Sequence, residues 1–231
     1  MTSNNKSYFD KIAEYGQLVI ISGPNGVGKS TVIREYIAQH PNACKCVTVT
    51  TRPQRPDEED GDDHYFVTHD EFDRLIRTNQ LLEYGYKNGI GYGTPRNAVE
   101  SLRKAGRNVI LDIDVIGAMK VRTFCPDATL IFIMPPSWSE LEQRLRQGST
   151  RSEAQIQEQL STAQEEVLCA EQYDYILIND TVEKTVRRLG QIIHGNRYSR
   201  NSMKTFLASY IGSEFPIQSD LANEILSIKR N

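Results

Sequence analysis

The sequence of 231 residues contains no apolar run close to the roughly 18 residues that a membrane-spanning helix needs. Residues 1–11 are polar and lack the apolar segment of a secretory signal. Neither sign of charge dominates, with 27 basic and 30 acidic side chains, so bulk nucleic-acid binding is not indicated. We therefore expect a soluble, cytoplasmic protein that has neither a membrane nor a nucleic acid as its partner.

Cysteine is scarce and is poorly spaced for a metal site. The four cysteines include no CxxC pair, and Cys44 and Cys46 are separated by one residue. Two positions apart on a strand, they share one face, which suits reduced thiols better than a disulfide. The chain length predicts one large domain, or one domain with a smaller insert, whose core needs neither metal nor disulfides.

Short apolar runs alternate with segments of helical periodicity, which is the pattern of a parallel sheet flanked by helices. The predicted buried strands are 18–21, 108–111, 130–133 and 175–178. The predicted helices are 32–37, 115–121, 138–145 and about 152–168. The fold class is therefore α/β.

Two parts of the chain depart from this alternation. Residues 46–92 are rich in turn-forming and charged residues, which predicts a small mixed β insert. Its acidic run, 57–63, is interpreted as a solvated loop. After about Ser199, apolar residues recur at helical spacing and predict a short C-terminal appendage. This stripe begins with Met203, Phe206, Leu207, Tyr210 and Ile211.

The strongest motif is a phosphate-binding loop. Residues 23–30 read GPNGVGKS and match GxxxxGK[ST], directly after a strand and at the start of a helix. Lys29 can reach the β- and γ-phosphates, and the Ser30 hydroxyl can bind Mg²⁺. The predicted ATP-binding residues are Gly23, Pro24, Asn25, Gly26, Val27, Gly28, Lys29, Ser30 and Thr31. The loop does not identify the acceptor, because GTPases, motor ATPases and small-molecule kinases all use it.

Candidate acceptor residues follow in the insert and after it. Arg52 and Arg55 carry planar guanidinium groups that suit a phosphate. Glu83 adds a carboxylate in turn-rich surroundings. Asp112 and Asp114 follow a buried strand, at the end of the sheet where α/β proteins bind ligands. Each residue alone has a simpler explanation, such as a solvated arginine or a helix-capping aspartate.

The sequence resembles the guanylate kinases over roughly residues 17–197. The similarity lies in GPNGVGKST, TTRPQR with Glu58 and Gly61 beyond it, LLEYGYKNGIGYGT, VILDIDVIGA and YDYILIND. It implies a P-loop kinase core with a parallel sheet flanked by helices, a small mixed β insert that binds GMP, and a helical lid. The implied domains are a core at 17–47 and 95–198 with a lid at about 144–160, an insert at 48–94, and extensions at 1–16 and 199–231.

The resemblance also implies roles for individual residues. Glu83 would accept hydrogen bonds from guanine N1–H and the 2-amino group, which adenine cannot supply, and Asp114 would support the amino group. Ser30 and Asp112 would hold Mg²⁺. The implied GMP-binding residues are Thr48, Arg52, Arg55, His64, Glu83, Tyr92, Thr94 and Asp114. The implied catalytic residues are Lys29, Arg52 and Arg144.

Two departures from the family pattern affect the expected site. His64 stands where the family usually has a tyrosine that binds the GMP phosphate. The neighbouring Tyr65 should not substitute, because adjacent side chains of an extended segment face opposite ways.

The second departure concerns the lid, for which the family typically supplies three arginines. Arg144 matches the first, but Gly148 and Gln159 occupy the other two positions. Nearby Arg146 and Arg151 are candidates for replacing them.

The sequence thus predicts a monomeric or homodimeric enzyme that uses ATP and Mg²⁺ to phosphorylate GMP, and dGMP as well. Two alternatives stay open. The first is a guanylate-kinase-like binding module with weak or no turnover, against which the intact phosphate loop argues. The second is a kinase for a related phosphorylated small molecule, against which Glu83 and Asp114 argue.

Overall fold

The computed structural model of the protein describes residues 15–147, 152–200 and 202–203. Its strands are β1 (Leu18–Ser22), β2 (Ala43–Lys45), β3 (Thr48–Thr50), β4 (His64–Phe66), β5 (Leu81–Lys87), β6 (Ile90–Pro95), β7 (Asn108–Asp112), β8 (Thr129–Met134) and β9 (Tyr175–Ile178). Its helices are α1 (Lys29–Gln39), α2 (His69–Arg77), α3 (Arg96–Lys104), α4 (Val115–Phe124), α5 (Trp138–Arg146), α6 (Glu153–Leu168) and α7 (Val182–Asn196), with a 3₁₀ turn at Cys169–Gln172.

A five-stranded sheet with the order β2-β7-β1-β8-β9 forms the centre of the fold, and all its neighbouring strands are parallel. The apolar runs predicted as buried strands all lie in this sheet, and the structure extends three of them by one or two residues. The predicted α/β fold class, with a parallel sheet between helices, is confirmed.

Both faces of the central sheet are buried along β1, β7 and β8, which explains why these strands are continuously apolar rather than alternating. The prediction of a buried strand at 175–178 is wrong in this respect, because β9 is an edge strand in which only Leu177 is buried. In β1, Leu18 and Ile20 pack with residues of α3 and α4 on one face. Val19 and Ile21 pack with residues of α1 and α7 on the other face. The sheet is therefore a rigid platform whose strand ends can hold side chains in fixed positions.

A second, four-stranded sheet with the order β4-β3-β6-β5 lies between residues 48 and 95. It is mixed, because β3 runs parallel to β4 and antiparallel to β6. Val49, Phe72 and Leu81 form its small buried cluster, to which α2 contributes the phenylalanine. The mixed β character predicted for this segment is confirmed.

Helices α5 and α6 form a further small cluster of their own, built on Leu141, Leu145, Ile156 and Ala163. A capping box at Ser152 starts α6, as the polar residue at the head of the predicted helix suggests. Gly148 and Arg151 lie outside the described residues, as do the N-terminal residues 1–14 and the apolar stripe beyond Met203.

The four cysteines are free thiols, as expected. Burial raises the pKa of the Cys46 thiol to about 12, so it stays protonated at neutral pH. In the described part of the chain, no helix has both the length and the apolar character needed to cross a membrane.

Candidate active site

The loop between β1 and α1 has a backbone conformation that glycine adopts easily and other residues do not. Gly23 has a φ of 142° and Gly28 a φ of 97°. A Cβ on Gly23 would lie 2.2 Å from the Ile133 carbonyl oxygen, and one on Gly28 would lie 2.6 Å from Asn179 Nδ2. Any other residue at either position would therefore have a strained φ and a side chain too close to a neighbouring atom. The loop ends at the N-terminus of α1, where unpaired N–H groups favour an anion.

Lys29 begins α1 and its ammonium group turns back towards the loop. Nζ donates hydrogen bonds to the carbonyl oxygens of Gly23 at 2.6 Å and Pro24 at 3.1 Å. Burial lowers the pKa of Lys29, while the negative charges of Asp112 and Glu166 oppose that shift. The lysine therefore lies inside the cleft with oxygen acceptors around it, in surroundings that suit binding to phosphate oxygens.

Two side chains from distant parts of the sequence hold the loop at one carbonyl oxygen. Asn179 Nδ2 donates to Val27 O at 2.8 Å, and Arg144 Nη1 donates to the same oxygen at 3.2 Å. Arg144 also donates to Asn179 O at 3.1 Å and to the Glu140 carboxylate at 2.9 Å. In this structure Arg144 therefore holds the phosphate loop in place, and it does not line the cavity that lies between this loop and the second sheet.

Ser30 and Asp112 meet where β1 and β7 end side by side. Ser30 Oγ donates to Asp112 Oδ2 at 3.2 Å. No group of three or more His, Cys, Asp and Glu residues in the described ranges could hold a metal ion. Magnesium bound to a nucleotide usually takes only one or two protein ligands and completes its octahedron with phosphate oxygens and water. Two adjacent oxygen ligands therefore fit a nucleotide-bound Mg²⁺.

The phosphate loop and the second sheet face a common cavity of about 380 Å³. The predicted site residues that line it are Gly23, Asn25, Lys29, Thr48, His64, Glu83, Tyr92, Asp112 and Asp114. The predicted residues outside its lining are Pro24, Gly26, Val27, Gly28, Ser30, Thr31, Arg52, Arg55, Thr94 and Arg144. The structure thus brings residues predicted to bind ATP and residues predicted to bind GMP, which are far apart in the sequence, to one cavity.

Glu83 supplies a nearly buried carboxylate to this cavity, with 8% of its surface exposed. Its Oε1 accepts a hydrogen bond from Thr94 Oγ1 at 2.5 Å. Burial raises the pKa of Glu83 and the negative charge of Asp114 adds to the shift, whereas the Thr94 hydrogen bond opposes it. A buried carboxylate of this kind is stabilised by any further N–H donor that enters the cavity.

Asp114 caps α4 as well as lining the cavity. Its Oδ1 accepts a hydrogen bond from Gly117 N at 2.7 Å. The simpler interpretation of this residue as a helix cap is therefore correct and is compatible with a second role. Gly117 also leaves room for Glu83, since a Cβ there would lie 3.0 Å from Glu83 Oε2.

Arg52 is held by a carboxylate from the acidic run 57–63. Its Nη1 and Nη2 donate to the two oxygens of Glu58 at 2.7 and 2.6 Å. The Arg55 backbone N–H also donates to Glu58 at 2.9 Å, and these bonds lower the pKa of Glu58 to about 2. The interpretation of the whole acidic run as a solvated loop is therefore wrong for Glu58, because Arg52 and the backbone of Arg55 need an acceptor there.

His64 and Tyr65 face in different directions, as the extended segment predicts. His64 lines the cavity and its Nδ1 lies 2.7 Å from Thr48 Oγ1, whereas Tyr65 is largely exposed. Burial lowers the pKa of His64, and the positive charges of Arg52 and Lys45 lower it further. Since its ordinary pKa is about 6.5, the imidazole is neutral at pH 7.

The comparisons with known proteins agree with this geometry. The family model described as guanylate kinase matches residues 15–196. The chain belongs to the guanylate kinase family. It is 42% identical over 182 residues to the guanylate kinase of Synechococcus sp. (strain JA-3-3Ab), covering 79% of this chain and 84% of that one. It is 45% identical over 177 residues to that of Thermobifida fusca, covering 77% and 90%.

A solved structure supports the same assignment. The crystal structure of guanylate kinase from Anaplasma phagocytophilum matches with a TM-score of 0.67 and 31% identity, covering 89% of this chain and 98% of that one. The predicted P-loop kinase fold, and the prediction of a nucleotide-binding kinase of this family, are confirmed.

Three charged residues line the cavity that the sequence analysis did not predict as site residues. They are Lys45, Lys87 and Glu166. Glu166 Oε2 is buried and has no hydrogen-bond partner among the described residues. Burial raises the pKa of Glu166, and the positive charges of Lys29 and Lys87 oppose that rise. Lys87 lies within the segment LLEYGYKNGIGYGT, where no role was implied for it, and Lys45 and Glu166 belong to no motif. For Lys45, the position at the carboxyl end of a parallel strand offered a signal.

Arg146, a candidate replacement for the arginines expected in the predicted lid, is already paired with two glutamates. Arg146 donates to Glu142 at 2.7 Å and to Glu153 at 2.5 Å, so its charge is balanced within α5 and α6. Gln159 of the predicted lid has a buried Oε1 without a partner in the described ranges. Among the lid arginines that the structure describes, neither Arg144 nor Arg146 lines the cavity.

Proposed function

We propose that the protein transfers the γ-phosphoryl group of ATP to GMP, and to dGMP, giving ADP and the nucleoside diphosphate. The observation that carries the proposal is the single cavity shared by Lys29 of the phosphate loop and Glu83 of the second sheet. An oxygen of the GMP phosphate attacks the γ-phosphorus, and the bond from that phosphorus to the β–γ bridging oxygen breaks as ADP leaves. No covalent intermediate with the protein is needed.

Glu83 is proposed to select the guanine base. One of its oxygens already accepts from Thr94, and the second lies on the side that Gly117 leaves open. Guanine presents two N–H donors, at N1 and at the 2-amino group, which suit the free acceptor capacity of this carboxylate and of Asp114. Adenine would present an acceptor at N1 and no 2-amino group, so it would leave the buried carboxylate unpaired.

The acceptor phosphate is proposed to lie at the opposite end of the second sheet, near His64, Tyr92 and the two arginines of the insert. Arg52 is prearranged for this role by its two bonds to Glu58. Thr48 fixes the ring of His64 beside the same end of the cavity. Fixed donors of this kind position the attacking oxygen without paying the entropy of ordering flexible side chains at the moment of reaction.

On the donor side, Lys29 is proposed to exchange its two loop carbonyls for phosphate oxygens and to balance the charge that builds up in the transition state. Ser30 and Asp112 would hold the nucleotide-bound Mg²⁺, which supplies charge neutralisation on the β- and γ-phosphates. Arg144 is proposed to keep the loop in place through Val27 and to reach the transferring group when the lid closes.

The experiment that tests the proposal is ADP release from ATP with GMP, dGMP, AMP, CMP and UMP as separate acceptors. GMP and dGMP should support turnover, and the other three should not. A preference for AMP or a pyrimidine nucleotide would overturn the assignment of Glu83 and favour a kinase of another phosphorylated small molecule. Tight GMP binding without ADP release would favour the binding-module alternative, to which Gln159 and the engaged Arg146 lend support.

A further inference from the structure

Lys45 is a cation of the acceptor cavity that belongs to no motif. It is the last residue of β2, the edge strand of the central sheet, and it precedes Thr48 by three positions. Lys45, Thr48 and His64 line the same cavity. The lysine therefore reaches the cavity from the central sheet, whereas His64 and Tyr92 reach it from the second sheet.

The charge of Lys45 acts at this end of the cavity. Lys45 lines the cavity together with Thr48 and His64, which pair across β3 and β4. Burial lowers the pKa of His64, and the charges of Arg52 and Lys45 lower it further. Lys87 also lines the cavity but affects a different region, since its charge acts on Lys29 and Glu166. The two lysines therefore act on different groups of one cavity.

The charge balance at the phosphate end calls for another cation. Arg52 is already neutralised by the bidentate pair with Glu58, Arg55 does not line the cavity, and His64 is uncharged at pH 7. A nucleoside monophosphate brings close to two negative charges. Within the described residues, Lys45 forms no ion pair, so its charge is available to a ligand.

We infer that Lys45 binds the phosphate of the acceptor nucleotide, opposite His64 and Tyr92. The inference rests on the proposed function, because that function defines where the acceptor phosphate lies. It adds a phosphate ligand on the core side of the cleft. Such a ligand would supply the charge that a neutral histidine cannot.

The test compares Lys45→Gln with Lys104→Gln, which removes the same charge from the exposed end of α3, outside the cavity. Lys45→Gln should raise the KM for GMP about tenfold or more, the effect of losing one charge-assisted hydrogen bond, with a smaller change in kcat. The KM for ATP should not change. Lys104→Gln should leave the KM for GMP unchanged, and Lys45→Arg should retain most of the affinity.

Equilibrium binding of guanosine separates a phosphate contact from general damage to the site. Guanosine lacks the phosphate, so Lys45→Gln should weaken GMP binding and leave guanosine binding as it is in the wild type. Equal losses for GMP and guanosine, or no loss for GMP, would overturn the inference while leaving GMP turnover by the wild type intact. If the wild type released no ADP with GMP, the proposed function would fail, and the two binding measurements would still decide whether Lys45 contacts a phosphate.

Discussion

The phosphate loop and the second sheet hold their functional groups in different ways. The loop offers backbone N–H groups to a ligand. Its shape is fixed by glycines and by distant side chains such as Asn179, which donates a hydrogen bond to the carbonyl oxygen of Val27. The second sheet and the loop after β3 present side chains, and three of these are already paired with a neighbour. The pairs are Glu83 with Thr94, His64 with Thr48, and Arg52 with Glu58.

The difference shows two solutions to preorganisation. Backbone N–H groups cannot be exchanged by mutation, so a phosphate-binding loop tolerates few changes and carries a recognisable sequence. Paired side chains can be exchanged one at a time, and the charge of each depends on its partner and on burial. We therefore expect substitutions at the phosphate loop to remove most of the activity. Substitutions in the second sheet should change the activity or the specificity gradually.

The sharpest failure should follow Lys29→Ala. Lys29 is the cation that the loop points into the cleft, so kcat should fall by about 10²-fold to 10³-fold, as for other fixed transition-state donors. GMP binding, measured by calorimetry, should be retained because the acceptor end is untouched. Turnover within about tenfold of the wild type would show that Lys29 does not contact the transition state.

Glu83→Gln should have the next largest effect and should act on specificity. An amide at this position places a donor opposite guanine donors, so kcat/KM for GMP should fall about tenfold or more relative to AMP. Thr94→Val is the matched control, since it removes the neighbour that orients Glu83 and keeps the carboxylate. An unchanged ratio of GMP to AMP in Glu83→Gln would remove this residue from base recognition.

The same contrast explains how far the sequence could predict the structure. The continuous apolar runs and the loop motif are local, so the parallel sheet and the position of Lys29 follow from them. The bond from Asn179 to Val27 spans 152 positions, and no local pattern encodes it. The acceptor residues were predicted through family resemblance, which could not show that Glu58 neutralises Arg52, or that Lys45 lines the cavity.

The lid gives a prediction of intermediate size. Arg146 is engaged by two glutamates, so Arg146→Ala should change kcat little. Gln159→Arg should raise kcat several-fold, because it adds a guanidinium to the predicted lid that can neutralise the transferring group, with little change in the KM for GMP. Steady-state kinetics of both variants decides the matter. A large loss in Arg146→Ala would show that Arg146 leaves its glutamates when the lid closes.

The smallest expected effect is a pH dependence that His64 adds to GMP binding. The pKa of His64 lies below its ordinary value because of burial and the charges of Arg52 and Lys45, so the neutral form dominates at pH 7. An acceptor phosphate would favour the imidazolium and raise this pKa on binding, so affinity should grow as the pH falls through the range in which the bound histidine gains its proton. The phosphate of GMP itself gains a proton near pH 6, which weakens binding over the same range.

His64→Tyr, titrated in parallel from roughly pH 8 to pH 5.5, isolates the histidine, because tyrosine stays neutral throughout. The wild type should lose less affinity than His64→Tyr at the acidic end. Superimposable profiles would mean that His64 does not meet the acceptor phosphate, and that the acceptor end owes its charge to the arginines and to Lys45.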